Sequence, residues 1–294
     1  TGNLKFTPTS NQHGTTTITV TVQDAGFDND LATIEDNTTF IRTFDVVVNP
    51  VNDDPTLDAI SDLTIDEDAH EQTVALNGIT AGGSESQKLR VTATSDNSDL
   101  IVDPTVTYTS ANPTGSLAFT PVADQSGTAT ITVTVEDAGL DNDFSTTADN
   151  ATFSRTFDVS VNAVNDDPTL DALSDVNINE DDPEQTVSLT GITAGGGETQ
   201  PLRVTATSSN TDLIADPTVS YTSAESAGSL KFTPVADQNG TSTITVTVED
   251  GGLDGDLDTT GDNATTTRTF DVMVSAVNDD LTLDAIDDLS IAED

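Results

Sequence analysis

The sequence has no cysteine and no tryptophan, one methionine, two tyrosines, and only eight lysines and arginines in 294 residues. Each scarcity removes a class of function. Without cysteine there is no disulfide framework, no thiolate nucleophile and no zinc–thiolate centre. The few basic residues stand against 52 aspartates and glutamates, a formal charge of −44. Such a surface has nothing to neutralise phosphate, which excludes nonspecific attraction to nucleic acid or anionic lipid and leaves cations as its natural partners. No apolar run approaches the ~20 residues of a membrane span, so direct membrane insertion by this segment is not expected. No basic-then-apolar leader opens the chain, and the first residue is Thr1 rather than Met, as expected of a window on a longer array.

What is present is repetition. VNDDPTLDAI at 51–60 returns as VNDDPTLDAL at 164–173 and VNDDLTLDAI at 277–286, a spacing of 113 residues both times. LKFTP, LAFTP and LKFTP begin at Leu4, Leu117 and Leu230, and RTFDV begins at Arg42, Arg155 and Arg268. A period this long suits independent domains better than solenoid units, which need neighbours to bury a core. The expected organisation is the C-terminal part of a truncated upstream repeat in 1–50, complete repeats in 51–163 and 164–276, and the N-terminal start of a truncated downstream repeat in 277–294. The first fragment should hold strands E, F and G, and the last only strand A.

Within a repeat the pattern is all-β. Ala129, Ile131, Val133 and Val135 alternate with threonines, the signature of a half-buried strand. Strands are expected at 56–68 (A), 71–80 (B), 89–95 (C), 105–110 (D), 116–121 (E), 128–136 (F) and 152–162 (G), divided by Gly, Pro, Asn and Asp clusters. Seven strands in this length predict immunoglobulin-like sandwiches, here joined in tandem as an end-to-end rod. If strand A runs the full height of the sandwich, the acidic turn carrying Glu67 (Glu180 in the next copy) falls at the trailing pole. The F–G loop falls at the leading pole, beside the preceding linker. That loop carries Asp24, Asp28 and Asp30 in the first copy, Asp137, Asp141 and Asp143 in the second, and Asp250, Asp254 and Asp256 in the third.

The VNDDP linker, the DED or NED turn after it, the stretch FTPVADQSGTATITVTVEDAG and the closing TFDVSVNAVNDDP together resemble the cadherin-like, tandem-95-type repeats of large bacterial surface proteins and adhesins. The likeness covers essentially the whole chain. Cadherin linkers carry a D-x-N-D-N-x-P pattern that holds calcium between domains. Asn52, Asp53 and Asp54 match its central N-D-N, with Pro55 one residue early, and the leading Asp is replaced by Pro50, Ala163 and Ala276. The resemblance therefore implies one or two calcium ions per linker rather than three. Calcium takes six to eight hard oxygens, which linker Asn and Asp, an upstream Glu and downstream Asp residues can supply. The fullest expected set is Glu67, Asn165, Asp166, Asp167, Asp250, Asp254 and Asp256. Asn52, Asp53 and Asp54 with Asp137, Asp141 and Asp143, and Glu180 with Asn278, Asp279 and Asp280, form sets expected to look emptier.

The implied function is a structural spacer, stalk or filament segment of a calcium-stiffened, extracellular cell-surface adhesin, with no enzymatic activity. Its partners would be neighbouring repeats and other copies in a bundle. Two alternatives stand beside it: an array of carbohydrate-binding sandwiches, disfavoured by the scarcity of exposed aromatics, and an acidic surface-layer protein of a salty habitat without specific calcium sites. Linker Asn and Asp are also ordinary turn formers, and acidic loops also keep a sheet edge soluble. His13 and His70 do not recur in register and are read as incidental. Tyr108 and Tyr221 are read as core, and the N-x-T sequences at Asn37, Asn150, Asn239 and Asn263 matter only in a glycosylating host.

Overall fold

The computed structural model of the chain describes residues 2–291 and 293. It divides into two compact units, Thr1–Asn162 and Ala163–Asp294. The first unit opens with β1 (Gly14–Gln23) and β2 (Thr39–Val48), an isolated antiparallel pair, and continues into a complete sandwich. The sandwich contains β3 (Leu63–Asp66), β4 (Gln72–Asn77), β5 (Leu89–Ser95), β6 (Thr105–Thr107), β7 (Thr114–Phe119), β8 (Gly127–Asp137) and β9 (Thr152–Asn162). One sheet runs β3-β9-β8-β5 and the other β4-β7-β6. The second unit repeats this plan with β10 (Val176–Asn179), β11 (Gln185–Thr190), β12 (Leu202–Ser208), β13 (Thr218–Ser220), β14 (Ala227–Phe232), β15 (Gly240–Asp250) and β16 (Thr265–Ser275), ordered β10-β16-β15-β12 and β11-β14-β13. No helix occurs among the described residues, and the fold is tandem β-sandwich.

The alternation read from the sequence sets the core. Ile131, Val133 and Val135 of β8 are fully enclosed with Phe157, Val159 and Val161 of β9 and Leu76 and Leu117 from the facing sheet. The second unit has its own cluster around Ile244, Val246, Val248, Phe270 and Val272. Threonines take the outer face, where Val and Thr suit a pleated surface and resist helix through χ1 restriction. Tyr108 and Tyr221 pack half-buried against these cores. Burial raises both their phenol pKa values.

Strand A departs from the expected single run over 56–68. Thr56 makes an isolated antiparallel bridge to Thr80, the chain then leaves that sheet, and only Leu63–Asp66 forms a strand, parallel to β9. Each half of the segment satisfies its backbone on a different sheet. Its end, paired Asp66 to Asn162, does bring the acidic turn to the trailing pole. Strand B stops at Asn77 because Gly78 takes φ +67 with Asp58 so close that a Cβ would lie 2.3 Å from its Oδ1. Strand D ends at Thr107, three residues early, before the turn at Ala111. In the first fragment no strand forms at Leu4, the expected E, and none forms over 281–291, the expected A. In the complete copies E pairs with B and D, and A with the last strand of its own copy; the described residues of each fragment contain no such partner. The open inner face of β1–β2 leaves Val22 63% exposed, where its register equivalent Val135 is fully buried.

Candidate metal centre

At the leading pole of each sandwich the linker Asn is held by a small wheel of polar side chains. In the first unit Asn52 Nδ2 donates to Oδ1 and Oδ2 of Asp137 at 3.1 and 3.2 Å. Gln87 Nε2 donates to Asn52 Oδ1 at 2.6 Å and to Glu85 Oε2 at 2.8 Å, and the latter oxygen also accepts the Asp53 amide at 3.1 Å. The second unit reproduces the wheel. Asn165 Nδ2 donates to Asp250 Oδ1 at 3.2 Å, Gln200 Nε2 to Asn165 Oδ1 at 2.8 Å, and the Asp166 amide to Glu198 Oε2 at 3.1 Å.

Asp137 and Asp250, each at the last position of its strand, are fully buried and hold the F–G loop closed. Asp250 Oδ1 accepts the amides of Gly252 and Ala264, both at 2.9 Å, so one carboxylate ties the beginning of the loop to its end. Asp137 does the same with Gly139 and Ala151. The linker carboxylates sit on a glycine turn: a Cβ at Gly83 would lie 1.8 Å from Asp53 Oδ2, and one at Gly196 1.9 Å from Asp166 Oδ2. Both glycines have positive φ, so the turn is closed to other residues twice over. Asp54 and Asp167 present carbonyl oxygens to Gly82 and Gly195.

Several enclosed oxygens in these wheels accept no hydrogen bond: Gln87 Oε1, Gln200 Oε1 and Asp250 Oδ2. All are acceptors. Leaving a buried acceptor unmatched costs ~1–3 kcal/mol, more for a charged one, whereas a cluster of such oxygens is what a hard cation requires. The residues present therefore fit a divalent ion such as calcium. Glu85, Gln87, Glu198 and Gln200 are absent from the expected ligand set, although ESQ and ETQ recur in register shortly after a glycine pair.

The outer F–G acids lie in a different setting from Asp137 and Asp250. Asp141, Asp143, Asp254 and Asp256 are exposed and turn their carboxylates onto their own loop. Asp254 accepts the Asp256 amide at 2.9 Å and the Thr259 hydroxyl at 2.6 Å, and Asp256 accepts the Asp258 amide at 3.0 Å. Asp141 accepts from Asp143 and Thr146, and Asp143 from the amide and hydroxyl of Ser145. The Thr259 hydroxyl and then the Asp256 amide hold Asp254 below its ordinary pKa; the Ser145 amide and hydroxyl do so for Asp143. None of the four belongs to a group of three converging acids among the described residues.

At the trailing pole Glu67 and Glu180 are buried, with their amides bonded to Asn162 O and Ser275 O. In the second unit Glu180 Oε1 accepts the Val277 amide at 2.8 Å, and Asp279 converges with Asp181 and Asp237 so that one carboxylate oxygen from each lies within 4.8 Å of the others. Asn278 bonds to the neighbouring Asp279 carbonyl, and Asp280 is exposed.

No family model matches the sequence, and no curated protein matches it. Solved structures similar to the chain include protocadherin gamma B2 extracellular cadherin domains 1–5, with TM-score 0.41 and 13% identity over 90% of this chain and 46% of that one. The protocadherin gammaB7 EC3-6 cis-dimer gives TM-score 0.38 and 15% identity over 88% and 58%. Domains 4 and 5 of the S-layer protein SbsC give 0.28 and 18% over 67% and 82%. The chain spans only part of either protocadherin structure. At such scores and identities the likenesses add no weight, and the functional reading rests on the chain's own residues.

Proposed function

We propose that the chain is a non-catalytic spacer: consecutive β-sandwich repeats of an extracellular cell-surface adhesin, stalk or filament, whose linkers are stiffened by calcium. The observation that carries this reading is the set of enclosed, unmatched acceptor oxygens around the linker Asn, Gln200 Oε1 with Asp250 Oδ2 in one copy and Gln87 Oε1 in the other. The ligands would be Asn165, Asp166, Glu198, Gln200 and Asp250, and in the first unit Asn52, Asp53, Glu85, Gln87 and Asp137. Mixed amide and carboxylate oxygens in a loose wheel suit calcium better than magnesium, which demands tight octahedral geometry. Asp181, Asp237 and Asp279 offer a second, more exposed position. The ion would replace the mutual repulsion of these acids with attraction and hold each linker in one direction.

Neighbouring repeats would then be the first partners, and other copies, bridged through acidic faces, the second. The reading of an acidic protein adapted to salt draws on the outer F–G acids Asp141, Asp143, Asp254 and Asp256, whose carboxylates accept hydrogen bonds from their own loops. Calorimetric titration of the full chain separates the two. Saturable calcium binding that D250N weakens supports the spacer. Heat changes no different from those of an equal ionic strength of sodium chloride would overturn it in favour of salt adaptation.

A further inference from the structure

The two wheels use the same residue types in the same register, yet the second leaves more of its oxygen free for a cation. We infer that calcium fills the wheel at Asn165 before the wheel at Asn52, with Lys88 holding the first one back. The linkers would then stiffen one after the other, an order that presupposes the calcium-bound linkers proposed above.

The difference starts at the buried carboxylate. Asn52 Nδ2 serves both oxygens of Asp137, at 3.1 and 3.2 Å, and the Gly139 and Ala151 amides add to Oδ1 at 2.9 and 3.0 Å. Asp250 is equally enclosed, but Asn165 Nδ2 reaches only its Oδ1 and also donates to the Asp262 carbonyl at 3.1 Å. Oδ2 of Asp250 is left with no donor. The glutamines repeat the contrast. Gln87 Nε2 bridges Asn52 Oδ1 and Glu85 Oε2, whereas Gln200 Nε2 bonds Asn165 Oδ1 and makes no such bond to Glu198. A cation entering the first wheel has to displace hydrogen bonds that already satisfy these oxygens. At the second it meets a desolvated, charged and unmatched oxygen, which gains the most from an ion.

Position 88 adds a difference in charge. Lys88 directly follows Gln87 and is sewn to the F–G loop: its amide donates to Asn142 Oδ1 at 2.7 Å, and its carbonyl accepts the Ala138 amide at 3.0 Å. Its ammonium is near enough to the loop acids to help lower the pKa of Asp143, behind the Ser145 amide and hydroxyl. A positive charge anchored beside the first wheel opposes the entry of a divalent ion. The second wheel carries Pro201 in that place, with neither charge nor N–H, and Gly255 where the first has Asn142.

The test is a calcium titration of the full chain at low ionic strength, followed through the amide resonances that each buried carboxylate accepts. Gly252 and Ala264 should shift at several-fold lower free calcium than Gly139 and Ala151, in two separate saturable steps. K88Q removes the charge and keeps the backbone amide. It should lower the calcium needed at Gly139 and Ala151 and leave Gly252 and Ala264 where they were, and added sodium chloride should shrink that effect, as for any exposed charge. Coincident shifts, the reverse order, or a K88Q titration indistinguishable from wild type would each overturn the proposal while leaving the spacer reading in place. No saturable shift at either wheel would overturn both.

Discussion

The Asn165 amide donates to the buried Asp250 carboxylate across 85 residues of sequence, and Asn52 makes the same bond to Asp137 across the same separation. The first polar residue of the linker is thus fastened to the last residue of the central strand. The carboxylate that fastens it also closes the F–G loop, so linker direction and loop closure share one group. Whatever loosens Asp250 loosens both.

D250N should therefore destabilise the second sandwich by ~1–3 kcal/mol, because an NH2 group would take the place of one oxygen in a fully enclosed site already crowded with donors. Urea unfolding followed with a probe in that sandwich measures it. An unchanged midpoint would show that the buried charge contributes nothing to the fold.

G196A tests the glycine turn. The residue has φ +40, and its new methyl would lie 1.9 Å from Asp166 Oδ2. Strain of this kind costs ~1–3 kcal/mol. The expected outcome is a folded sandwich whose Asp166 and Glu198 resonances shift and whose calcium affinity falls at least several-fold. Wild-type affinity would place the ion elsewhere.

Calcium should raise the thermal midpoint of the wild-type chain, and a chelator should reverse the gain, by the linkage that favours any state binding a ligand the unfolded chain does not. E198Q should reduce the increment without lowering the chelator-treated midpoint by more than a small amount. Equal increments in the two proteins would remove Glu198 from the ligand set.

Acid should open the F–G loops before the cores. The folded pKa values of Asp254 and Asp143 lie below their ordinary value, so their contribution is complete above the unfolded value of about 3.9 and is lost as pH falls through the lower folded one. Amide exchange at Asp256 and Ser145 should accelerate in that range while Val246 stays protected. Simultaneous loss of protection would mean that the loops carry no separate acid sensitivity.

Ile244 and Ile18 occupy the same register position opposite Phe270 and Phe44. Ile244 is fully buried and Ile18 only half-buried. Ile244→Ala should cost ~2–5 kcal/mol by the usual toll of an enclosed truncation, and Ile18→Ala much less. Equal costs, read from unfolding midpoints, would mean that the inner face of β1–β2 is covered in solution.

The strands are legible in the sequence because alternation in β8, β9, β15 and β16 leaves little choice of inward face. Strand A is not, since residues 56–68 contain no residue that announces a change of sheet; the break depends on which edge can satisfy each half. The linker Asn and the strand-end Asp are visible through their 113-residue recurrence. Asp254 and Asp256 look like ligands because D-x-D spacing suits a ligand and an amide-capping carboxylate equally, and only the fold shows the second use. Glu198 and Gln200 escape notice although they recur too. Their loop lies far from the linker in sequence, and the glycine pair before them is a sign of another backbone close by only once that backbone is in view.

The parallel pairing of β3 with β9 and of β10 with β16 places the first and last strands of each sandwich side by side, running the same way. Tension applied through the two ends of such a sandwich pulls these strands past one another along their length. Their ladder bonds are then loaded together in shear rather than opened one at a time, as they would be in a hairpin pulled from its open end. A short pairing of four residues can in this way act as a mechanical clasp, yielding only when the whole set gives way at once.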